Sequence, residues 1–400
     1  MASRRGNGEG TISYRKQEER WEAKITVTDP ITGKKIRKSH SDKSKAKVIA
    51  WRNEMIAKVQ TGQYLGEEKI TLKEWLEWWL NEFKANRIKQ TTHENYQTII
   101  DKHIIPALGD KCLQELKVSD IVRLCNMKMD AGRQDGRNGG LSKTTVNYIL
   151  SILRMALGDA VKSEKITKNV ALSIKKFEQE KPEKQALTNV QMKTFLNATK
   201  NDKYFAAYLL EACTGLRRGE LLALQWDDIN FEARTVRVKQ GLVRVKNEDK
   251  DKKGNKTKLI LTPPKTKSSR RTITVPEEVI EALKRHKLKQ KEEKILVGSA
   301  YKNLNLVFCN PLGDFLHPCS FVKHYQRLLS RAKLPKISFH ELRHTHASLL
   351  VDAGESIKVI QDRLGHTTSR MTLDIYSHTS SEMQERAAKR IGEMLKIQAL

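Results

Sequence analysis

Residues Ser338–His378 read SFHELRHTHASLLVDAGESIKVIQDRLGHTTSRMTLDIYSH. His340 and Arg343 stand three apart, so on a helix they share one turn. Ile357–Leu364 has the pattern of a short helix, and Gly365 fits the position just past its end. His366 follows, and a single tyrosine, Tyr376, comes ten residues later. Upstream, Thr214-Gly-Leu-Arg-Arg-Gly-Glu220 supplies a second arginine. Gly215 permits a tight turn and the next helix begins near Arg218. Arg217 therefore sits at a helix N-terminus, where an anion is favoured. The planar fork of an arginine binds two phosphate oxygens at once, which lysine cannot do. Two arginines, two histidines and a tyrosine are what phosphoryl transfer to a tyrosine hydroxyl needs, because such chemistry is mostly positioning and charge stabilisation. Each piece alone has a plainer reading. Arg217 with Glu220 could be a surface ion pair, and Tyr376 could pack on a surface helix.

Arg217 in TGLRRGE, His340 and Arg343 in HELRH, His366 in LGH and Tyr376 in MTLDIYSH, in that order, resemble the signature of the tyrosine recombinases, the integrase family of phages and mobile elements. The resemblance is strong over the C-terminal half and extends by layout over the rest. It implies that Arg217 and Arg343 clamp a phosphate and that Tyr376 is the nucleophile. Tyrosine has an ordinary pKa of about 10 and needs help to ionise. His340 would donate to a nonbridging oxygen or take the tyrosine proton. His366 would position the phosphate; the family also accepts tryptophan there. Glu220 would brace the Arg217 fork. A lysine on a β-hairpin tip would protonate the leaving deoxyribose oxygen. Aligned by the small residues after it, that lysine is Lys267, with Lys265 as the competitor. Without the resemblance, the stretch Lys265–Arg271 reads as a basic hairpin touching the DNA backbone, with Arg270 among the contacts. His344 and His346 invite a metal reading, but no HExxH pattern is present and two arginines already supply positive charge. The resemblance implies neither metal nor cofactor.

Composition agrees. The chain has 400 residues, room for two or three domains, and a net charge of +28 with a pI near 9.8. Such an excess points to a polyanion, most simply nucleic acid. Five scattered cysteines, at 112, 125, 213, 309 and 319, form no CxxC pair. They argue against a disulfide framework or zinc site and for a reducing cytosol. No apolar run is long enough to span a membrane and the N-terminus lacks a secretory h-region. The expected location is the bacterial cytoplasm, associated with the nucleoid.

Along the chain, residues 1–64 form a basic module, with 15 Lys and Arg against 7 Asp and Glu in the first 60 residues. Its strands are Gly10–Tyr14, Trp21–Val27 and Lys35–Ser39, split by turn signals. A helix from about Ser44 to Thr61 should turn Ala46, Ile49, Ala50, Ile56 and Val59 to one face. A three-stranded sheet backed by a helix can enter a major groove, and the resemblance implies an arm-type DNA-binding domain here. Packing of this module on the next domain without touching DNA is the alternative.

Residues 69–175 read as a helical domain, which in the family is the SAM-like core-binding half of a clamp. Thr71 and Glu74 form a capping box. Leu72, Trp75, Leu76, Trp79 and Phe83 follow at helical spacing as core. A second helix runs from Thr92 to Ile104 and stops at Pro106. A third spans Val118–Ala131, and a fourth starts at Ser142 with Val146, Ile149, Leu150, Leu153 and Leu157 inward. Lys89, Thr91 and Thr92 at one helix start, and Lys143 and Thr144 at another, can cap their helices or meet a phosphate. Residues 176–186 read as a linker, and 187–400 as the catalytic domain. Its strands are TVRVK, GLVRV, TKLIL and RTITV. Its helices open at Thr188, at Pro276 (to about Glu293) and at Cys319. A terminal amphipathic helix, Ser380–Ile397, would dock on a neighbouring protomer or pack in cis.

The fold class expected is multidomain and mainly α with small β-sheets. The function expected is that of a site-specific DNA recombinase that works through a 3′-phosphotyrosyl link to integrate and excise a mobile element or prophage. Its partners would be double-stranded DNA at core and arm sites, three further copies in a homotetramer, and an excisionase and a DNA-bending host factor. The alternatives are a dimer resolvase of the same family, a type IB topoisomerase, and a non-catalytic DNA-binding regulator.

Overall fold

The computed structural model describes residues 10–28, 35–60, 70–134, 136–179, 186–247, 256–264, 269–365, 388–389 and 391–392. The chain forms two compact units, Met1–Glu180 and Lys181–Leu400. Among the described residues no helix is long and apolar enough to cross a membrane.

The first unit opens with an antiparallel sheet, β1 (Thr11–Arg15), β2 (Arg20–Thr28) and β3 (Lys35–Asp42), with β2 in the middle. The pairing Val27↔Ile36 fixes the register. Alternation along β2 buries Ala23, Ile25 and Val27. Helix α1 (Lys45–Gln60) packs on β2. The opposite face carries Ser13, Glu22, Lys24, Thr26, Arg37 and Ser39 by alternation. Glu22 is neutralised there by Arg15 at 2.7 Å and Lys24 at 3.1 Å. The expected inner face of α1 needs correction. Ile49 and Ile56 are partly covered as expected, but Ala46, Ala50 and Val59 are exposed, and Val48 is the buried residue, with Trp51 and Met55 also partly covered. Trp51 stacks on His40 of β3. Larger side chains win the sheet contact over the alanines, which rotates the buried stripe.

Helix α2 (Leu72–Trp78) starts at the expected capping box: Thr71 Oγ1 accepts from the Glu74 amide, and Glu74 accepts from the Thr71 amide. Trp75 donates to the Ala156 carbonyl at 3.0 Å, and Trp79 to Asp159 at 2.8 Å. Lys84 completes that buried group at 2.8 Å from Asp159. The second helix does not stop ahead of Pro106. Helix α3 (Gln90–Ile99) passes into a π-helical turn (Ile100–Ile104) and on into α4 (Ile105–Leu108). The π turn restarts the helix, so Pro106 falls in a first turn, where its missing N–H is not needed. Helices α5 (Val118–Ala131) and α6 (Lys143–Lys162) follow, with Val146, Ile149, Leu150, Leu153 and Leu157 of α6 all buried. The chain after Ile174, where a linker was expected, is tied to α6 as far as Gln179. The Asn147 amide exchanges hydrogen bonds with the Phe177 backbone at 2.8 and 2.9 Å. Thr144 donates to Gln179 at 2.5 Å.

In the second unit, α7 (Asn189–Ala198) begins at the Thr188 capping box. Helix α8 (Phe205–Thr214) is central and packs on α7 and on two later helices. After α9 (Arg218–Leu221) come β4 (Ile229–Asn230), β5 (Thr235–Val238), β6 (Gly241–Lys246), β7 (Thr257–Thr262) and β8 (Arg271–Thr274). Strands β4, β5 and β8 form one antiparallel sheet, and β6 pairs with β7 in another. Helix α10 (Glu277–Val297) starts one residue later than expected, with Pro276 as its cap, and runs past Glu293. Helices α11 (Pro318–Arg331), α12 (Phe339–Asp352) and α13 (Ile357–Leu364) complete the unit. Phe195, Tyr208, Phe321, Tyr325 and Phe339 pack together as an aromatic core, mostly edge to face. Of the terminal helix, only residues 388–389 and 391–392 are described, and they are helical.

Candidate active site

The site is framed where the end of α8, the start of α9, the middle of α12 and the end of α13 meet. Helix α8 ends at Gly215 with φ +60°, and α13 ends at Gly365 with φ +66°. A Cβ on Gly215 would stand 2.7 Å from Leu364 Cδ2 and 2.8 Å from His346 Cδ2. Both the turn and the close approach therefore require glycine.

Two arginines use these helix ends. Arg343, almost fully buried on α12, donates to the Gly215 carbonyl at 2.7 Å and to the Leu364 carbonyl at 2.6 Å. Arg217 caps α9. Its backbone N–H donates to Glu220 at 3.0 Å, its Nη1 donates to the same carboxylate at 2.7 Å, and its Nη2 lies 3.4 Å from the Gly365 carbonyl. The expected brace between Glu220 and the Arg217 fork is thus present. Arg217 remains 37 % exposed at its side chain while Glu220 is buried, so the fork has a solvent side and an anchored side.

Arg271 is a third guanidinium at this place. It donates to Glu220 at 2.9 Å and to the Arg363 carbonyl at 2.7 Å. The sequence had singled out its neighbour Arg270, which is exposed. Two of these guanidinium groups, Arg217 and Arg271, share one carboxylate, and Arg343 lies within range of its field. Burial alone would raise the Glu220 carboxyl, but Arg271 and Arg217 hold it below the ordinary carboxylate range. Burial, then Arg217 and Arg271, push Arg343 down to about 9, so it is still cationic at neutral pH. The excess positive charge suits an anion.

The histidines divide. His340, one turn before Arg343, is exposed and meets the His344 ring edge-on at 5.2 Å. His340 and Arg343 therefore share a turn but not a depth. His346 fills the core, as expected. Its Nδ1 lies 2.9 Å from the Ala212 carbonyl, and burial pushes it down to about 4. A carbonyl only accepts, so Nδ1 holds the proton and the ring is neutral at pH 7. Glu211, fully buried on α8, went unnoticed in the sequence. Burial raises its carboxyl well above the ordinary range against the opposing field of Arg343.

Lys265, Lys267, His366 and Tyr376 lie outside the described residues. The structure thus shows the frame as far as Gly365, one residue short of His366. In the first unit, Lys89 is the N-cap residue of α3, and Thr91 and Thr92 are in its first turn. Lys143 and Thr144 open α6, which Ser142 caps. These basic helix starts are solvent-facing or nearly so.

Two family models match the chain: the phage integrase family over residues 185–383, and the N-terminal SAM-like domain of phage integrases over residues 71–129. The chain belongs to the phage integrase family, the tyrosine-type site-specific recombinases. A XerC-like tyrosine recombinase of Caldanaerobacter subterraneus subsp. tengcongensis is 29% identical over 378 residues, covering 92% of this chain and 95% of its own length. The ICEBs1 integrase of Bacillus subtilis is 24% identical over 92% of this chain and 95% of its own. Among solved structures, the Tn1549 transposon integrase in complex with transposon right end DNA superposes with a TM-score of 0.65 at 24% identity, covering 81% of this chain and all of that one. The lambda integrase tetramer bound to a Holliday junction gives 0.54 at 20% identity, covering 93% and 96%. This integrase-family chain shares their fold: mainly helical units with small antiparallel sheets.

Proposed function

We propose that this integrase-family enzyme cuts and rejoins DNA through a 3′-phosphotyrosyl intermediate, integrating and excising a mobile element. The observation that carries the proposal is the guanidinium pair. Arg343 is fixed to the Leu364 carbonyl and Arg217 lies beside the Gly365 carbonyl. Their charges therefore stand at the chain position immediately before His366, with Tyr376 ten residues farther on.

In this reading Arg217 and Arg343 hold the nonbridging oxygens of the scissile phosphate, with His366 donating beside them. The Tyr376 oxygen attacks phosphorus as His340 takes its proton. The P–O5′ bond breaks, and Lys267 (or Lys265) gives the leaving oxygen a proton. The 5′-hydroxyl of a partner strand then attacks the phosphotyrosine and releases Tyr376. The phosphoester bond is conserved at each step, so ATP hydrolysis is not required. The buried, neutral imidazole of His346 takes no part. Lys89, Thr91, Thr92, Lys143, Thr144 and Arg270 would contact the DNA backbone. The domains would be an arm-binding module at 1–64, a core-binding domain at 69–175, a linker at 176–186 whose first residues, to Gln179, are held against α6, and a catalytic domain at 187–400. Four protomers would act on two duplexes, with an excisionase and a DNA-bending factor setting direction. The sheet module with its polar, partly basic outer face favours an element integrase over a dimer resolvase, which works without such a module.

The test uses a methylphosphonate diester at the scissile position, which carries no negative charge. Arg217→Ala should slow cleavage of the ordinary phosphate by about 10²–10³-fold, the usual cost of one lost charge-stabilising donor. It should lose far less on the methylphosphonate. Equal losses on both substrates would mean that Arg217 does not stabilise phosphate charge.

A further inference from the structure

We propose that Arg271 is a positioning residue for Arg217, keeping the Arg217 fork free to take a phosphate. The inference rests on the reading above and concerns the same site.

Glu220 is the shared element. Its Oε1 accepts one bond from Arg217 Nη1, at 2.7 Å. Its Oε2 is taken by the Arg217 backbone N–H at 3.0 Å and by Arg271 Nη2 at 2.9 Å. A carboxylate opposite a lone guanidinium favours the bidentate fork, with both oxygens on one arginine. Here Arg271 shares the second oxygen with the Arg217 backbone N–H, so Glu220 holds the Arg217 guanidinium by one nitrogen only. The Arg217 Nη2 makes only a long contact, 3.4 Å, to the Gly365 carbonyl, and the side chain is partly exposed. Arg271 also neutralises the part of the Glu220 charge that would otherwise compete with a phosphate.

Arg271 is itself held fast. Its side chain is 6 % exposed. Its Nε donates to the Arg363 carbonyl at 2.7 Å, and its Nη1 lies 3.2 Å from the Ser269 carbonyl. The Arg363 carbonyl directly precedes Leu364 and Gly365, whose carbonyls meet Arg343 and Arg217. One side chain therefore sets β8, the Glu220 carboxylate and the end of α13 relative to one another. Burying a guanidinium beside two others is unfavourable on charge grounds alone. A mere core filler would not need that charge, whereas a competitor for Glu220 does. Arg271 does not touch the reacting atoms in this arrangement.

The experiment follows single-turnover formation of the covalent protein–DNA complex on a nicked duplex that contains the site, with DNA affinity measured in parallel. It compares wild type with Arg271→Met, Glu220→Gln and the double variant. Arg271→Met should slow cleavage by about 10–10²-fold, the scale of a small misplacement of a catalytic group. Its DNA affinity should stay within about threefold, because exposed phosphate contacts dominate binding. Adding Glu220→Gln should then recover a factor of about 5 or more, since the neutral amide no longer captures the whole Arg217 fork. A second lesion in a merely structural cluster would only make matters worse, so a double variant as slow as Arg271→Met or slower overturns the proposal. If Arg271→Met does not fold, Arg271→Lys keeps the charge, and its own rescue by Glu220→Gln is read in the same way. Loss of the covalent complex in wild type itself would instead remove the functional reading, and the inference with it. A normal wild-type complex with an unimpaired Arg271→Met removes the inference alone.

Discussion

Arg343 and His346 stand on the same helix, and burial acts on them with different results. Arg343 starts so high that a fall to about 9 leaves it cationic at pH 7. His346 starts at 6.5 and is pushed to about 4, so it is neutral. The folded state therefore binds the His346 proton less readily than the unfolded chain does. Its contribution to stability is fully present above about pH 6.5 and is lost as pH falls toward about 4. His346→Gln keeps a donor for the Ala212 carbonyl and removes the titration. Thermal melts between pH 7 and 4.5 should show a wild-type loss larger than the variant's by roughly 2 kcal/mol. Parallel pH profiles would contradict this. At this scale the sequence shows which residues lie together when they are near in the chain. Arg217 with Glu220 and His340 with Arg343 were legible because a three-residue spacing defines one turn. Arg271 was not, because its partner Glu220 lies 51 positions away. Nor was Glu211, whose burial depends on helices that arrive later in the chain.

At the scale of elements, two glycine-ended helices bring the site together. Gly215 turns the chain from α8 into α9 while Leu364 and His346 press against its α-carbon. Gly215→Ala would meet both a left-handed backbone cost of about 1–2 kcal/mol and an overpacking cost of about 1–3 kcal/mol. Its melting temperature should fall by several degrees, at roughly 2–4 °C per kcal/mol for a unit of this size. An unchanged melt would mean that the turn is looser than its contacts indicate. Most elements were readable from period and caps: the boxes at Thr71 and Thr188, the four longer strands of the second unit, and Val118–Ala131 stand as the sequence indicates, while the two-residue β4 was not foreseen. The failures have local causes. Pro106 looked like a stop, because a π-helical turn that lets a helix restart leaves no mark in apolar periodicity. The inner face of α1 was only partly assigned, with Ile49 and Ile56 covered but Val48 missed, because its hydrophobic pattern is weak and the sheet register decides which stripe is covered.

At the scale of the molecule, the two units hold separate cores and different tools. The first presents a polar sheet face and basic helix starts. The second pairs two guanidinium groups with a buried carboxylate and sets a third, Arg343, within range of their charge. A net charge of +28 makes a polyanion the natural partner of both. That much is legible from composition and from the family signature. The division of labour among the arginines is not, because it arises only once β8 and α13 close on α9. The central claim is that Tyr376 is the nucleophile served by this frame. It is tested most directly by mixing wild type and Tyr376→Phe with a nicked duplex carrying the element's joined ends. Nicking lets the short product diffuse away and leaves any covalent complex trapped. The account predicts a denaturation-resistant protein–DNA band from wild type alone, with a free 5′-hydroxyl on the released strand. Retarded DNA without that band, or a band that persists in the Phe variant, would contradict it.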